Sequence, residues 1–200
     1  MIYFRQISIF AIVLFISCNQ SKDDQYFDKI KSARQLQEAG KFKEALEKLD
    51  EALEIDPNGI VAFYQIGQNF IMEKKYDSAI IFCNKAIHEK GTDTLYLDLN
   101  NKNPIVNDRN INDVEMTLIR YSRGFSFYML NNYDKALDDF EFCLSNGYNN
   151  NGSVFLYAGI IYSAKGPSKK GCNYFELAVR NGNSEAQSYL DKSCKYSAQL

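Results

Sequence analysis

Small and apolar residues recur along the chain at a fixed interval. Pairs separated by 34 residues are Ala33 and Gly67, Phe42 and Tyr76, Ala45 and Ala79, and Ala52 and Ala86. A constant interval of this length indicates a supersecondary unit that is repeated and stacked on its neighbours. Pro57 ends a helix of the first unit, because proline lacks a backbone N–H and its ring clashes with the preceding turn.

Two further copies follow, in register with each other. The third contains Gly124, Ala136 and Phe140, and the fourth contains Gly159, Gly171 and Phe175, each 35 residues later. Four copies exceed the roughly three that a stable stack requires. The hydrophobic pattern therefore predicts an elongated array of repeats.

This pattern resembles the tetratricopeptide repeat over about residues 26–180. The resemblance implies an all-α fold, an α-α superhelical solenoid of about four helix pairs with a C-terminal capping helix. The small residues would lie where paired helices approach closely. Residues 178–190 resemble the related Sel1-like repeat, and Asn183 or Ser184 is expected to N-cap a last helix that ends near Lys195. That helix would cover the apolar end of the fourth repeat.

The register breaks between the second and third copies. Gly67 and Gly124 are 57 residues apart, which is 23 more than one repeat, so an insertion is predicted at about residues 94–116. Alternation around Leu95, Leu97 and Leu99 predicts a short strand within it. The insertion either extends the binding face or is a solvated excursion.

Polar residues of the insertion have two candidate roles, helix capping and metal binding. Asn112, followed by Glu115, is expected to cap the next helix. The Asp and Asn residues of the segment lack the Gly and Glu positions of an EF-hand loop, so no metal site is predicted there.

The first residues differ in character from the rest. Arg5 precedes an apolar run at residues 7–16, which is too short for a spanning helix and typical of a signal peptide. Ser17 and Cys18 follow this run and resemble the lipobox of bacterial lipoproteins, although Phe15 stands where the consensus usually has Leu. The predicted organisation is a signal peptide at 1–17, a polar tether at 18–25 and a repeat domain at 26–200.

The resemblance to a lipobox implies acylation of Cys18 and an outer-membrane lipoprotein of the cell envelope. The alternative is a cleaved signal peptide in which Cys18 is incidental. Residues 22–24 (Lys-Asp-Asp) also resemble a surface-export signal of some Gram-negative lipoproteins. The domain would then face outward; if these residues are only a solvated tether, it faces the periplasm.

Charge and composition exclude several functions. The chain has 23 Lys and Arg against 25 Asp and Glu, so it lacks the basic footprint of a nucleic-acid binder. Its single histidine, His88, has no nucleophile motif beside it. No catalytic residue, enzyme activity or cofactor is therefore predicted.

The remaining four cysteines form two groups. Cys83 and Cys143 fall at inward positions of second helices, where a free thiol behaves as a small apolar group. Cys172 lies near the start of one predicted helix and Cys194 near the end of the next, and antiparallel helices bring such ends together. In an oxidising compartment the pair is a disulfide candidate worth about 3 kcal/mol; the alternative is two unpaired thiols.

First helices line the concave face of a tetratricopeptide stack. By that resemblance, the lining positions are Arg34, Tyr64, Gln68, Met72, Tyr121, Phe125, Tyr128 and Met129, followed by Leu156 and Ile160 in the fourth repeat. Such an aromatic and Met-rich groove suits a peptide or a partner helix. Alternatively, the insertion or the last helix covers these rings and makes them core.

One activity of the family is excluded by residue type. Members that clamp carboxylate tails use fixed Lys and Asn positions, which here hold residues such as Ile30, Gln65, Leu118 and Ser122. The sequence favours a non-enzymatic scaffold that holds a protein partner and is anchored in the envelope. The alternative is a surface-exposed lipoprotein that binds glycans or other nutrients through Tyr64, Tyr121 and Tyr128.

Overall fold

The computed structural model describes residues 21–92, 114–164, 166 and 168–194. Within these ranges the chain is all-α, as the repeat pattern predicts. The helices are α1 (Lys22–Glu38), α2 (Phe42–Ile55), α3 (Ile60–Met72), α4 (Tyr76–Thr92), α5 (Met116–Met129), α6 (Tyr133–Ser145), α7 (Ser153–Ser163), α8 (Lys169–Arg180) and α9 (Ala186–Ser193).

The helices form four antiparallel pairs and a final single helix. Each odd-numbered helix up to α7 packs against the next helix in the chain, and α9 packs on α8. The first helices of successive pairs also touch, so α1, α3, α5 and α7 form one layer. This is the solenoid that the resemblance implies. None of the helices described is both long and apolar enough to cross a membrane.

Small residues allow the two helices of each pair to approach closely. Ala33 and Ala45 are fully buried in the first pair. A Cβ atom built on Gly124 would lie 2.9 Å from Cβ of Asp139, and one built on Gly159 would lie 2.7 Å from Cε1 of Phe175. These distances are too short for non-bonded carbon atoms, so the predicted small positions are the points of closest approach.

Three of the turns within pairs have the same hydrogen bonds. Gly40, Lys74 and Asn131 occupy equivalent positions, with φ of 72°, 60° and 59°. In each turn the residue that follows donates its N–H to the carbonyl of the residue five positions earlier, as from Lys41 to Leu36 at 2.8 Å. This is the Schellman motif, which satisfies the last carbonyls of the first helix. It gives the same reversal of chain direction in the first three pairs.

A tyrosine from the first pair caps a helix of the second. Tyr26 Oη accepts a hydrogen bond from the N–H of Ala62 at 3.0 Å, and this N–H has no partner within α3. A Cβ on Gly59 would lie 2.5 Å from that hydroxyl, so the neighbouring residue must be small. Burial raises the pKa of Tyr26 to about 12.

A buried carboxylate joins the second and third pairs. Asp139 on α6 is 1% exposed and accepts hydrogen bonds from Arg123 at 2.7 and 2.8 Å and from Arg120 at 3.3 Å. Arg123 also donates to Oδ1 of Asn84 on α4 at 2.6 Å. The network connects three helices at the place where the repeat register breaks in the sequence.

The last helix covers the apolar end of the fourth pair. Leu156 and Phe175 form one buried cluster with Ala186 of α9, and the ring of Tyr189 stacks on Phe175 at 5.2 Å. Cys172 and Cys194 form a disulfide, the predicted pairing, with Cα atoms 5.7 Å apart. The bond attaches the end of α9 to the start of α8.

Several boundaries differ from the sequence prediction. Residues 22–25, predicted as tether, form the first turn of α1, because Ser21 and Asp24 make a capping box. α5 begins at Met116 with Glu115 as its N-cap, while Asn112 lies outside the described residues. The signal peptide, Cys18 and the predicted strand around Leu97 also lie outside them.

The prediction for the last helix is wrong in its cap and too long at its end. The N-cap is Glu185, whose side chain makes no capping bond, although Oδ1 of Asn183 accepts a hydrogen bond from the N–H of Ala186 at 3.2 Å. Helical residues begin only at Ala186, because residues 184 and 185 form a turn, and they end at Ser193.

The close helix contacts predict that an added methyl group lowers the free energy of unfolding by different amounts at different glycines. Gly159→Ala should lower the free energy of unfolding by about 2 kcal/mol, because the new Cβ overlaps the fully buried ring of Phe175. Gly67→Ala should change it by less than about 1 kcal/mol. Its nearest neighbour is the thiol of Cys83 at 3.2 Å, and alanine favours the helix. Urea unfolding of both variants measures the difference, and equal losses would contradict this account of the packing.

The Asp139 network predicts a second difference in stability. Asp139→Asn should cost about 2–3 kcal/mol, because it leaves two partly buried guanidinium groups without their carboxylate. Asp138→Asn is the matched control, since Asp138 is exposed and should change stability by less than about 0.5 kcal/mol. Thermal and urea unfolding compare the two variants. A similar small effect in both would mean that the network does not hold the pairs together.

Candidate partner-binding groove

The first helices bring three of the predicted lining residues to one pocket. Gln68 from α3 and Tyr121 and Phe125 from α5 line a depression of about 210 Å³. The pocket also includes Ile71, Ser122 and Tyr157. We call this depression the central pocket, and the surface of α1, α3, α5 and α7 around it the groove. The central pocket combines apolar walls with an amide and a hydroxyl group.

Polar side chains form a fixed base to the central pocket. Gln68 donates its amide to Oγ of Ser122, and Ser122 donates its hydroxyl to the carbonyl of Leu118 at 2.9 Å. Burial raises the pKa of Tyr64 above its usual range, and the nearby hydroxyl of Ser122 opposes this rise. These bonds orient the amide of Gln68 toward the interior of the groove.

Tyr121 belongs partly to the groove and partly to the core. Its ring contacts Phe140 and Tyr148 at centroid distances of 6.3 and 5.8 Å. Burial raises the pKa of Tyr121, and the nearby polar groups of Asn150 and Ser153 oppose this rise. One side of the residue therefore lines the central pocket, and the other supports the third helix pair.

An aromatic cluster continues from the central pocket toward the last helix. The ring of Tyr157 lies 5.4 Å from Phe125, 5.0 Å from Tyr128 and 5.9 Å from Phe140, on which it stacks. Tyr133 lies 6.1 Å from Tyr128 on the far side. Burial raises the pKa of Tyr157 to about 12. Tyr157 is thus the ring that links α7 to the groove.

The sequence prediction for the fourth repeat is wrong by one position. Leu156 and Ile160 were expected to line the groove, but both pack in the cluster beneath α9. Tyr157 takes the place of Leu156, because the capping helix covers the side of α7 that would otherwise be open. Tyr64 and Tyr121 occupy the repeat position that corresponds to Leu156. The repeat pattern therefore gave no indication that Tyr157 lines the groove instead.

Two methionines and an arginine complete the predicted set. Met72 is 50% exposed and Met129 is 40% exposed, each at the end of a first helix. Arg34 is exposed on α1, and its charge opposes the rise in the pKa of Tyr64. The groove therefore has a buried polar base and an exposed apolar rim.

Two of the positions excluded from a carboxylate clamp are unsuited to it in space as well. Ile30 and Gln65 are buried, so neither presents a side chain to a ligand from the surface. Their burial reflects packing between neighbouring first helices, as shown by the bond from Gln37 to the carbonyl of Gln65 at 2.9 Å.

The other chemically notable residues lie away from the groove. Cys83 and Cys143 are free thiols buried at the predicted inward positions, and burial raises the pKa of each to about 12. His88 is exposed on α4. Within the described ranges no three His, Cys, Asp or Glu residues are grouped as a metal site would require. The Asp and Asn residues of the insertion lie outside those ranges.

Comparison with known proteins supports the repeat assignment. The family model "Tetratricopeptide repeat" matches residues 36–102. No curated protein gives a significant match to the sequence. Among solved structures, the RS-1 ArsTM double mutant of MamA is 15% identical with a TM-score of 0.64, and the alignment covers 90% of this chain and 92% of that chain.

Two more MamA structures have the same architecture. A crystal structure of MamA is 18% identical with a TM-score of 0.59, covering 82% of both chains. The MSR-1 C2 form of MamA is 18% identical with a TM-score of 0.54, covering 84% of this chain and 79% of that chain. At these identities the likeness concerns the fold: tetratricopeptide-type stacking extends over most of the chain, beyond the residues that the family model matches.

Proposed function

We propose that this protein is a non-enzymatic scaffold that holds a peptide or a helix of a protein partner in its groove. The observation that carries the proposal is the central pocket, in which a fixed amide and hydroxyl lie between aromatic walls. Backbone and side-chain polar groups of a polypeptide can bond to such a base while its apolar side chains fill the walls.

The exposed methionines at the rim of the groove favour a polypeptide ligand over a compact one. Met72 and Met129 are exposed at the C-terminal ends of α3 and α5, the two helices that supply most of the pocket lining. Methionine side chains are flexible and adapt to varied apolar partners. A partner that contacts the central pocket and both methionines spans two repeats.

The glycan-binding alternative has weaker support from the geometry. A sugar stacks on an open aromatic face, and the rings proposed for this role already pack against other side chains. Tyr121 contacts Phe140 and Tyr148, and Tyr128 contacts Phe125, Tyr133 and Tyr157. We therefore favour a protein partner, which uses edges and methyl groups as well as ring faces.

We further propose that Cys18 is acylated and anchors the protein in the outer membrane. The support is the sequence pattern of the first 18 residues, followed by the start of α1 at Lys22. Three residue steps separate Cys18 from Ser21, and a fully extended chain covers at most about 3.6 Å per step. The acyl group would then hold the first repeat within roughly 11 Å of the membrane surface.

If the partner binds in the groove, glutamate substitutions at two pairs of exposed apolar residues should affect partner capture differently. Met72→Glu/Met129→Glu should abolish capture of the partner, because it places carboxylates on the apolar rim. Ile81→Glu/Leu177→Glu is the matched control. These residues are 54% and 36% exposed on the second helices α4 and α8, outside the groove. In-cell cross-linking of the tagged protein, followed by mass spectrometry, identifies partners that wild type and control share and the groove variant loses.

Folding of both double variants is checked by circular dichroism and thermal unfolding, since exposed positions should tolerate glutamate. Partners captured equally by the groove variant and by wild type would contradict binding in the groove. Saccharide-dependent thermal stabilisation of the purified protein, absent in the groove variant, would favour the glycan alternative instead.

The anchor predicts a change of cellular fraction. Cys18→Ala should move the protein from the membrane pellet to the soluble fraction and remove incorporation of an alkyne-labelled fatty acid, because acylation requires the thiol. Gln20→Ala is the control and should keep both properties. Membrane retention of the Cys18 variant would rule out this anchor.

A further inference from the structure

The last helix, α9, is attached to the rest of the repeat domain at both ends, by different kinds of bond. At its start, Asn183 accepts a hydrogen bond from the N–H of Ala186 at 3.2 Å and donates one to Oγ of Ser153 at 3.3 Å. At its end, the disulfide joins Cys194 to Cys172 in the first turn of α8. The attachment at the end of α9 is therefore the one that a change of redox state can remove.

Between these attachments α9 is weakly stabilised by its own structure. It has eight residues, and an isolated helix shorter than about 12–15 residues is marginal in water. Its N-cap residue, Glu185, makes no capping hydrogen bond through its side chain. Among its eight residues Ala186 alone is buried, while Tyr189 stacks on Phe175. The helix therefore remains folded through the parts of the protein to which it is joined.

The surface beneath α9 is apolar. Leu156 is 1% exposed and Phe175 is fully buried, and both belong to the cluster that Ala186 completes. Tyr189 and Leu190 of α9 pack against the same cluster. Removal of α9 would expose side chains of α7 and α8, whereas the contacts that join α1 to α6 do not involve it. Its release is therefore a local event.

The four described cysteines differ in their access to solvent. Cys194 is partly exposed, and Cys172 is 8% exposed. Cys83 and Cys143 are completely buried, so their thiols do not exchange with the disulfide while the helix pairs stay packed. An external thiol therefore reaches the sulfur of Cys194 first.

We propose that the disulfide between Cys172 and Cys194 is a redox-sensitive switch, whose reduction by a dithiol releases α9 and exposes the apolar end of the stack. The inference does not depend on the proposed function, because it concerns α7, α8 and α9 alone. Reoxidation restores the bond only when α9 again lies over α8, since the two cysteines must return to bonding distance.

The reduction is a two-step thiol–disulfide exchange. A thiolate of the dithiol bonds to Sγ of Cys194 and breaks the bond between the two cysteines, and Cys172 leaves as a thiolate that takes up a proton. The second thiolate of the reductant then displaces Cys194 from the mixed disulfide, and Cys194 is protonated in turn. The protein gains two electrons and two protons, and the reductant loses them and becomes a disulfide.

The test measures backbone hydrogen exchange of the purified full-length protein by mass spectrometry, before and after treatment with dithiothreitol under native conditions. The amides of residues 186–193 should exchange at least roughly tenfold faster after reduction, because a free helix of this length gives little protection. The amides of α1 to α6 should exchange at the same rate in both states. Alkylation with iodoacetamide verifies the reduction, since it should modify Cys172 and Cys194 and leave the buried Cys83 and Cys143 unmodified.

Two variants assign the effect to this bond. Cys172→Ser/Cys194→Ser should show fast exchange of α9 without dithiothreitol and no further change with it. Cys83→Ala is the matched control, since it removes a buried thiol outside the disulfide and should respond to dithiothreitol as wild type does.

Each of the other outcomes would overturn the switch. Protection of α9 that survives reduction, or that persists in the double serine variant, would mean that packing on Phe175 holds the helix by itself. Loss of protection throughout α1 to α8 would mean that the disulfide stabilises the whole domain and not one helix. A disulfide that dithiothreitol does not reduce in the folded protein would mean that the bond is only structural.

Discussion

The close contact between the two helices of each pair is the constraint on which the other features of the fold depend. Gly124 and Gly159 leave no room for a Cβ atom, and Ala33 is fully buried, so the helices of these pairs are held at short separation. Equal Schellman turns at Gly40, Lys74 and Asn131 repeat that placement along the chain. The first helices then lie side by side, and the groove is a result of this stacking rather than of any single contact within it.

The periodic features of the structure could be predicted from the sequence, whereas features arising from one end of the stack could not. Gly67 and Gly124 lie at the predicted helix contacts because a repeat of fixed length fixes which face of a helix each residue occupies. Leu156 was misplaced because α9 covers one side of α7, where no further repeat follows. The hydroxyl of Tyr26 that caps α3 at Ala62 depends on a contact across 36 residues and leaves no local pattern.

The groove combines rigidity in its base with freedom at its rim. Ser122 is held by Gln68 and by its own helix, and the ring of Tyr121 by contacts with Phe140 and Tyr148, so these groups are oriented before a partner arrives. Preorganised polar groups lower the entropic cost of binding, while exposed methionines accommodate different apolar surfaces. The disulfide between Cys172 and Cys194 extends this rigidity to α9, which carries Glu185 and Tyr189.

The network around Asp139 has a consequence for the junction between the second and third helix pairs. Arg123 reaches both Asn84 on α4 and Asp139 on α6, so the junction between the second and third pairs is made by side chains on either side of residues 93–113. Each of these bonds is made by residues of α4, α5 and α6, so a change in the length of the connecting segment would leave them intact. Insertions and deletions should therefore be tolerated better between α4 and α5 than at the Schellman turns within pairs.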